Sequence, residues 1–141
     1  MDLHIMSLSE AVGHQPVKPT YAIRIHSSFS DYKPELQKSH FYQRIAEYIF
    51  DDNDAFYQAG PVTITENIAN ALVRDFAESK NGVEALLVHC SRGKNRSPAV
   101  AIALNEIFNL GHNSEELKSR FNESNWAVYK AILEAGQRHQ S

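Results

Sequence analysis

The apolar positions fall into two kinds of run. Tyr21, Ile23 and Ile25 alternate with Ala22, Arg24 and His26, a period of two that predicts a strand over 21–26. Ala85-Leu86-Leu87-Val88 is a continuous apolar run between turn residues, the pattern of a strand buried in a parallel sheet. Ile68, Leu72 and Phe76, with Ala69 and Val73, recur at helical spacing. Thr63-Ile64-Thr65-Glu66 has the form of a capping box ahead of them, and Asn81-Gly82 closes them, so this helix is expected to end near Lys80. A second helix is expected over 98–110, apolar on most sides, with Pro98 at a first helical position and Gly111 past the end. Ser114 is placed to cap a third. A fourth is expected over 125–137, with Trp126, Tyr129, Ile132 and Leu133 on its buried side. The stretch 41–50 fits two patterns: Phe41, Ile45 and Ile49 are four apart, yet Tyr48-Ile49-Phe50 suits the end of a strand.

The polar stretch 27–39, with Pro34 inside it, reads as loop. Residues 1–19 read as a lead-in segment with a short helix around 9–12, broken by Pro16 and Pro19, and 20–141 as the domain. Strands alternating with helices predict an α/β fold: a single domain with a central, mostly parallel sheet of about four or five strands and helices on both faces. Ligands in such sheets bind at the carboxyl ends of strands, which directs attention to the end of 85–88.

A chain of 141 residues, 43% hydrophobic and 22% charged, can bury a core without covalent staples. A net charge of -3 gives no overall footprint for nucleic acid. The single cysteine, Cys90, excludes an internal disulfide, a CxxC pair and a multi-cysteine zinc site, and suits a reducing compartment. The first residues lack the apolar run of a signal peptide, and no stretch is apolar enough to span a membrane. A soluble, cytoplasmic protein is therefore expected.

The chemistry concentrates in Val88-His89-Cys90-Ser91-Arg92-Gly93-Lys94-Asn95-Arg96-Ser97-Pro98, a tight turn between the buried strand and the next helix. Backbone N–H groups at such a helix start have no helical partner and converge on an anion. Gly93 permits the sharp turn. The helix dipole, the N–H donors and the cationic Arg92, Lys94 and Arg96 favour Cys90 as thiolate, hence as nucleophile. Arg96 can offer its planar fork to two phosphate oxygens, and Ser97 can donate a hydrogen bond to the sulfur. His89, next to Cys90 on a strand, points to the opposite face and reads as a residue that organises the loop rather than as a base.

His-Cys-x-x-Gly-x-x-Arg-Ser resembles the signature of the protein tyrosine phosphatase superfamily, and the short chain with its Arg96-Ser97-Pro98 ending is similar to the small dual-specificity-type members. The resemblance implies a phosphotyrosine-phosphatase-like fold over roughly 20–137. It implies phosphomonoester hydrolysis through a phosphocysteine on Cys90, with Arg96 as the phosphate clamp and Ser91, Arg92, Gly93, Lys94, Asn95 and Ser97 around the phosphate. It implies neither metal nor cofactor, since the loop and the arginine stabilise the charge. An aspartate after an earlier strand would protonate the leaving oxygen and then activate water. Asp52 is the first choice, Asp54 the second and Asp51 the third. A phosphorylated protein is the expected partner. The basic Arg92 and Lys94, and Asn95 before Arg96, keep open a non-protein substrate: a phosphoinositide, an RNA 5′-phosphate or a small phosphoester. A phosphate-binding module without turnover is the reading from another class.

Overall fold

The computed structural model describes residues 1–52 and 62–140. Four strands, β1 (Asp2–Ser7), β2 (Thr20–His26), β3 (Tyr42–Ile49) and β4 (Ala85–Cys90), form one sheet in the order β1-β4-β2-β3, every pair parallel. Five α-helices complete the described fold: α1 (Leu8–Gly13), α2 (Glu66–Ser79), α3 (Arg96–Phe108), α4 (Ser114–Arg120) and α5 (Trp126–Gln140). The expected single α/β domain on a parallel sheet is what the chain forms.

β2 and β4 take the two central positions and are buried along their whole length. This is why 85–88 is continuously apolar: both faces are covered. On one face Tyr21, Ile23, Ile25, Leu86 and Val88 meet Leu72, Val73 and Phe76 of α2, the apolar residues of α3, and Val128 and Ile132 of α5. The other face is smaller, with Ala22 and Leu87 under Ala11 of α1 and Leu36. Gly136 explains the tight fit of α5 on α3, since a Cβ there would lie 2.6 Å from Ile107 Cδ1. Among the described residues no helix is long and apolar enough to cross a membrane.

Several local expectations are corrected. The segment 1–19 holds the short helix expected around 9–12, as α1, but it also supplies a strand, β1, paired to β4 from Asp2↔Ala85 to Ser7↔Cys90. Ser7 caps α1 in a capping box with Glu10, at 3.2 and 3.0 Å. The ambiguous 41–50 stretch is the edge strand β3, with Ala46 buried and its neighbours half open. The cap of α2 is Thr65, which accepts from Ile68 N–H at 3.2 Å, so Thr63 lies outside the box it was expected to form. Asn113 caps α4 in place of Ser114, whose hydroxyl donates to Glu106 Oε1 at 2.7 Å. α3 begins at Arg96, so Pro98 is its third residue, still within the first turn where an N–H has no helical acceptor. Trp126 is 42% exposed, and Val128 takes the inward position instead.

Candidate active site

Strand β4 delivers Cys90 to the carboxyl edge of the sheet, and residues 91–95 turn directly into α3. The turn rests on the β1–α1 junction. Leu8 N–H donates to Ser91 O at 3.2 Å, and Ser97 Oγ lies 3.5 Å from Met6 O. Gly93 adopts φ +74°, and a Cβ there would fall 2.7 Å from Ser7 N and 2.8 Å from Met6 C, both backbone atoms. Only glycine fits this wall, and the wall is built by the segment that the sequence pattern left as a lead-in.

Cys90 is 2% exposed. Gly93 N–H donates to its Sγ at 3.3 Å, and Ser97 Oγ sits 3.2 Å from the sulfur. Arg96 is also buried. Its Nη1 donates to Phe50 O at 2.7 Å and its Nη2 to Ser91 Oγ at 3.1 Å. These two bonds fix the guanidinium plane. Its Nε lies 3.5 Å from Asp52 Oδ2, an ion-pair distance, but is not aligned for a hydrogen bond and has no other partner among the described residues. A buried N–H of this kind is costly unless an acceptor meets it.

The expected site residues divide into three groups. Cys90, Ser91, Arg92, Asn95, Arg96 and Asp52 line one cavity of 170 Å³, together with Ser27 and Phe29. Gly93 and Ser97 act on the sulfur from behind it. Lys94 is exposed and does not line the cavity. Ser27 and Phe29 lie in the loop after β2, and nothing in their local pattern marks them. A larger cavity of 390 Å³, bordered by Arg24, Tyr42 and Glu47, shares no lining residue with the Cys90 cavity.

The three candidate acids separate by orientation. Asp51 is buried and accepts from Ser28 N–H at 2.8 Å, Ser28 Oγ at 2.5 Å and Val62 N–H at 2.9 Å. Burial alone would raise its carboxyl, but these hydrogen bonds and the Arg96 charge hold it below the usual aspartate range. It links Ser28 to Val62 and is not among the residues lining the cavity. Asp52 faces the cavity, with Oδ1 accepting from Asn125 Nδ2 at 3.1 Å. Asp54 lies outside the described residues.

His89 points to the opposite sheet face. Its Nε2 accepts from Arg24 Nε at 2.9 Å, and its Nδ1 lies 3.4 Å from Cys90 O. Because arginine only donates, Nε2 is the acceptor and the ring proton sits on Nδ1, toward that carbonyl. Burial, reinforced by the Arg24 charge, pushes the imidazole down to about 4. A neutral histidine thus braces the carbonyl of Cys90 from below.

No protein-family model matches the chain, and no curated protein matches it. Among solved structures, that of a human tyrosine phosphatase-like serine/threonine/tyrosine-interacting protein is similar, with a TM-score of 0.51 and 16% sequence identity over 86% of this chain and 76% of that one. At that identity the likeness is one of fold: a phosphatase-like α/β domain, with Cys90 at the carboxyl edge of its parallel sheet.

Proposed function

We propose that the chain is a cysteine-dependent phosphatase that hydrolyses phosphomonoesters of proteins, phosphotyrosine first and phosphoserine or phosphothreonine through the same shallow cavity. The observation that carries this reading is the convergence at one cavity of the Cys90 sulfur and the fixed Arg96 guanidinium. The sulfur is met by Gly93 N–H and the Ser97 hydroxyl, and the guanidinium keeps an unpartnered Nε.

The Cys90 thiolate attacks phosphorus and forms the S–P bond as the P–O bond to the leaving group breaks. The departing oxygen takes its electron pair and a proton from Asp52. Arg96 and the N–H groups of the turn hold the equatorial oxygens, where charge is spread in the transition state. Asp52, now a carboxylate, takes a proton from water as that water attacks phosphorus. The S–P pair returns to sulfur, helped by Ser97 and Gly93, and inorganic phosphate leaves. Proton, electron pair and charge balance with no further reactant.

A second reading keeps the chemistry and changes the substrate. Arg92 borders the cavity, is exposed and has no side-chain partner among the described residues. That free charge favours a substrate with more than one anionic group, such as a phosphoinositide or an RNA 5′-phosphate. Hydrolysis of a generic aryl phosphate from about pH 4 to 9, with wild type, Cys90→Ser and Asp52→Ala compared, tests the shared mechanism. A bell-shaped profile abolished by Cys90→Ser and stripped of its alkaline limb by Asp52→Ala is expected. Wild-type protein that binds vanadate without turnover is a binding module instead.

A further inference from the structure

Asn125 stands immediately ahead of α5 and makes contacts in three directions. Its Oδ1 accepts from Ala127 N–H and Val128 N–H, both at 3.1 Å, and so caps the helix. Its backbone N–H donates to Asn95 O at 2.9 Å, and Asn95 Nδ2 donates back to Glu123 O at 2.7 Å. The turn before α5 therefore grips the residue that precedes Arg96. The remaining group, Nδ2, donates to Asp52 Oδ1 at 3.1 Å. Flipping the amide would set Nδ2 against two N–H donors and Oδ1 against a carboxylate, so one orientation alone satisfies all partners.

We infer that Asn125 is a positioning residue that sets Asp52 relative to the phosphate loop; this rests on the phosphatase reading of the Cys90 cavity. Among the described residues Asn125 Nδ2 is the one hydrogen-bond donor that Asp52 has, because the Arg96 Nε contact at 3.5 Å lacks hydrogen-bond alignment. The arrangement has a chemical consequence. With Oδ1 held by Asn125 Nδ2 and Oδ2 3.5 Å from Arg96 Nε, the carboxyl plane is set relative to the guanidinium. A general acid must stand within hydrogen-bond reach of the leaving oxygen, and a free carboxyl rotation would spoil that. The chain Asp52–Asn125–Asn95 ties the acid to the same turn that holds the phosphate.

Two variants test this. Asn125→Ser keeps a cap oxygen and removes the donor. Asn125→Asp keeps the cap and the size but turns a carboxylate toward Asp52. Steady-state kcat/KM is measured on aryl phosphates whose leaving groups run from nitrophenol to unactivated phenol. Loss of an acid shows most where the leaving oxygen most needs a proton. Both variants are expected to lose roughly 10- to 100-fold on phenyl phosphate and under about threefold on nitrophenyl phosphate. In an Asp52→Ala background neither is expected to cause further loss. An equal loss on both substrates, or losses that multiply with Asp52→Ala, would mean that Asn125 serves the fold alone and would overturn the inference. Urea unfolding of the single and double variants supplies a readout that needs no turnover. The midpoint shift caused by Asn125→Ser is expected to shrink when Asp52 is already alanine. An undiminished shift overturns the inference. Wild-type protein that turns over none of the aryl phosphates defeats the phosphatase reading, and the unfolding cycle still decides whether Asn125 holds Asp52.

Discussion

The His89 brace beneath Cys90 makes stability depend on pH in a definite direction. His89 is 1% exposed and is held near 4 by burial and by Arg24, against an ordinary value of 6.5. Between those two values the unfolded chain binds a proton that the folded chain refuses. Acid therefore favours unfolding as pH falls through this window, and the effect saturates below about 4. The stability is fully present above 6.5 and is lost on the way down. A shift of that size is about 3 kcal/mol in full, of which about 2 kcal/mol falls between pH 7 and 5. Domains of this size are stable by roughly 5–15 kcal/mol, so the loss is readily measured. His26, also pushed down by burial and by Arg24, adds a change of the same sign, while the depressed carboxylates Glu10, Glu106 and Asp51 lose their contributions only below their ordinary values of 4.5, 4.5 and 3.8. The assay is urea unfolding followed by circular dichroism at several pH values from about 7 to 5, for wild type and His89→Gln. The variant loses a constant amount of packing but no longer titrates at this position. The gap between the two proteins is expected to narrow by about 2 kcal/mol on going from pH 7 to 5. A gap that stays constant would falsify the assignment of His89 as a buried neutral brace.

Other substitutions separate the wall of the site from its chemistry. Gly93→Ala meets the backbone of Met6 and Ser7 and a left-handed φ, so a loss of at least about 1–2 kcal/mol is expected in urea unfolding, with turnover falling as the loop shifts. Wild-type kcat/KM in that variant contradicts the close approach. Asp51→Ala orphans the Ser28 and Val62 N–H groups at about 1–3 kcal/mol each; it should destabilise more than Asp52→Ala yet keep the alkaline limb of the pH profile. The reverse ranking would exchange the roles of the two aspartates. Ser97→Ala removes the hydroxyl 3.2 Å from the sulfur and is expected to slow breakdown of the phosphoenzyme more than its formation, read as a larger pre-steady-state burst relative to the steady rate.

The turn around Cys90 was legible because its residues are contiguous: cysteine, glycine, arginine and serine lie within one short stretch between a buried strand and a helix. β2 and β4 were legible because central strands are apolar on both faces. β1 was not. Its Leu3 and Ile5 are only partly buried at a sheet edge, and its partner starts at Ala85, so nothing local marks it as a strand. With it went the reason for Gly93, whose neighbours come from the β1–α1 junction. Asp51 and Asp52 are consecutive and identical in type, so their opposite orientations depend on contacts from Ser28 and Asn125 that sequence order does not reveal. The start of α5 differs in phase from the apolar pattern. Trp126 is the first helical residue and is exposed, and the inward stripe runs through Val128, Ile132 and Ala135. Asn125 was expected as the first residue of that helix; it stands just ahead of it, and its grip on Asp52 spans 73 positions.

The covalent intermediate is the most direct test of the central claim. Asp52→Ala is mixed with an activated aryl phosphate, quenched in acid within the first turnover, and its peptides are mapped by mass spectrometry. Phosphate on Cys90 at close to one per chain is expected, with none on Cys90→Ser treated alike. Turnover without any phosphoenzyme, or phosphate carried by another residue, would contradict nucleophilic attack by Cys90.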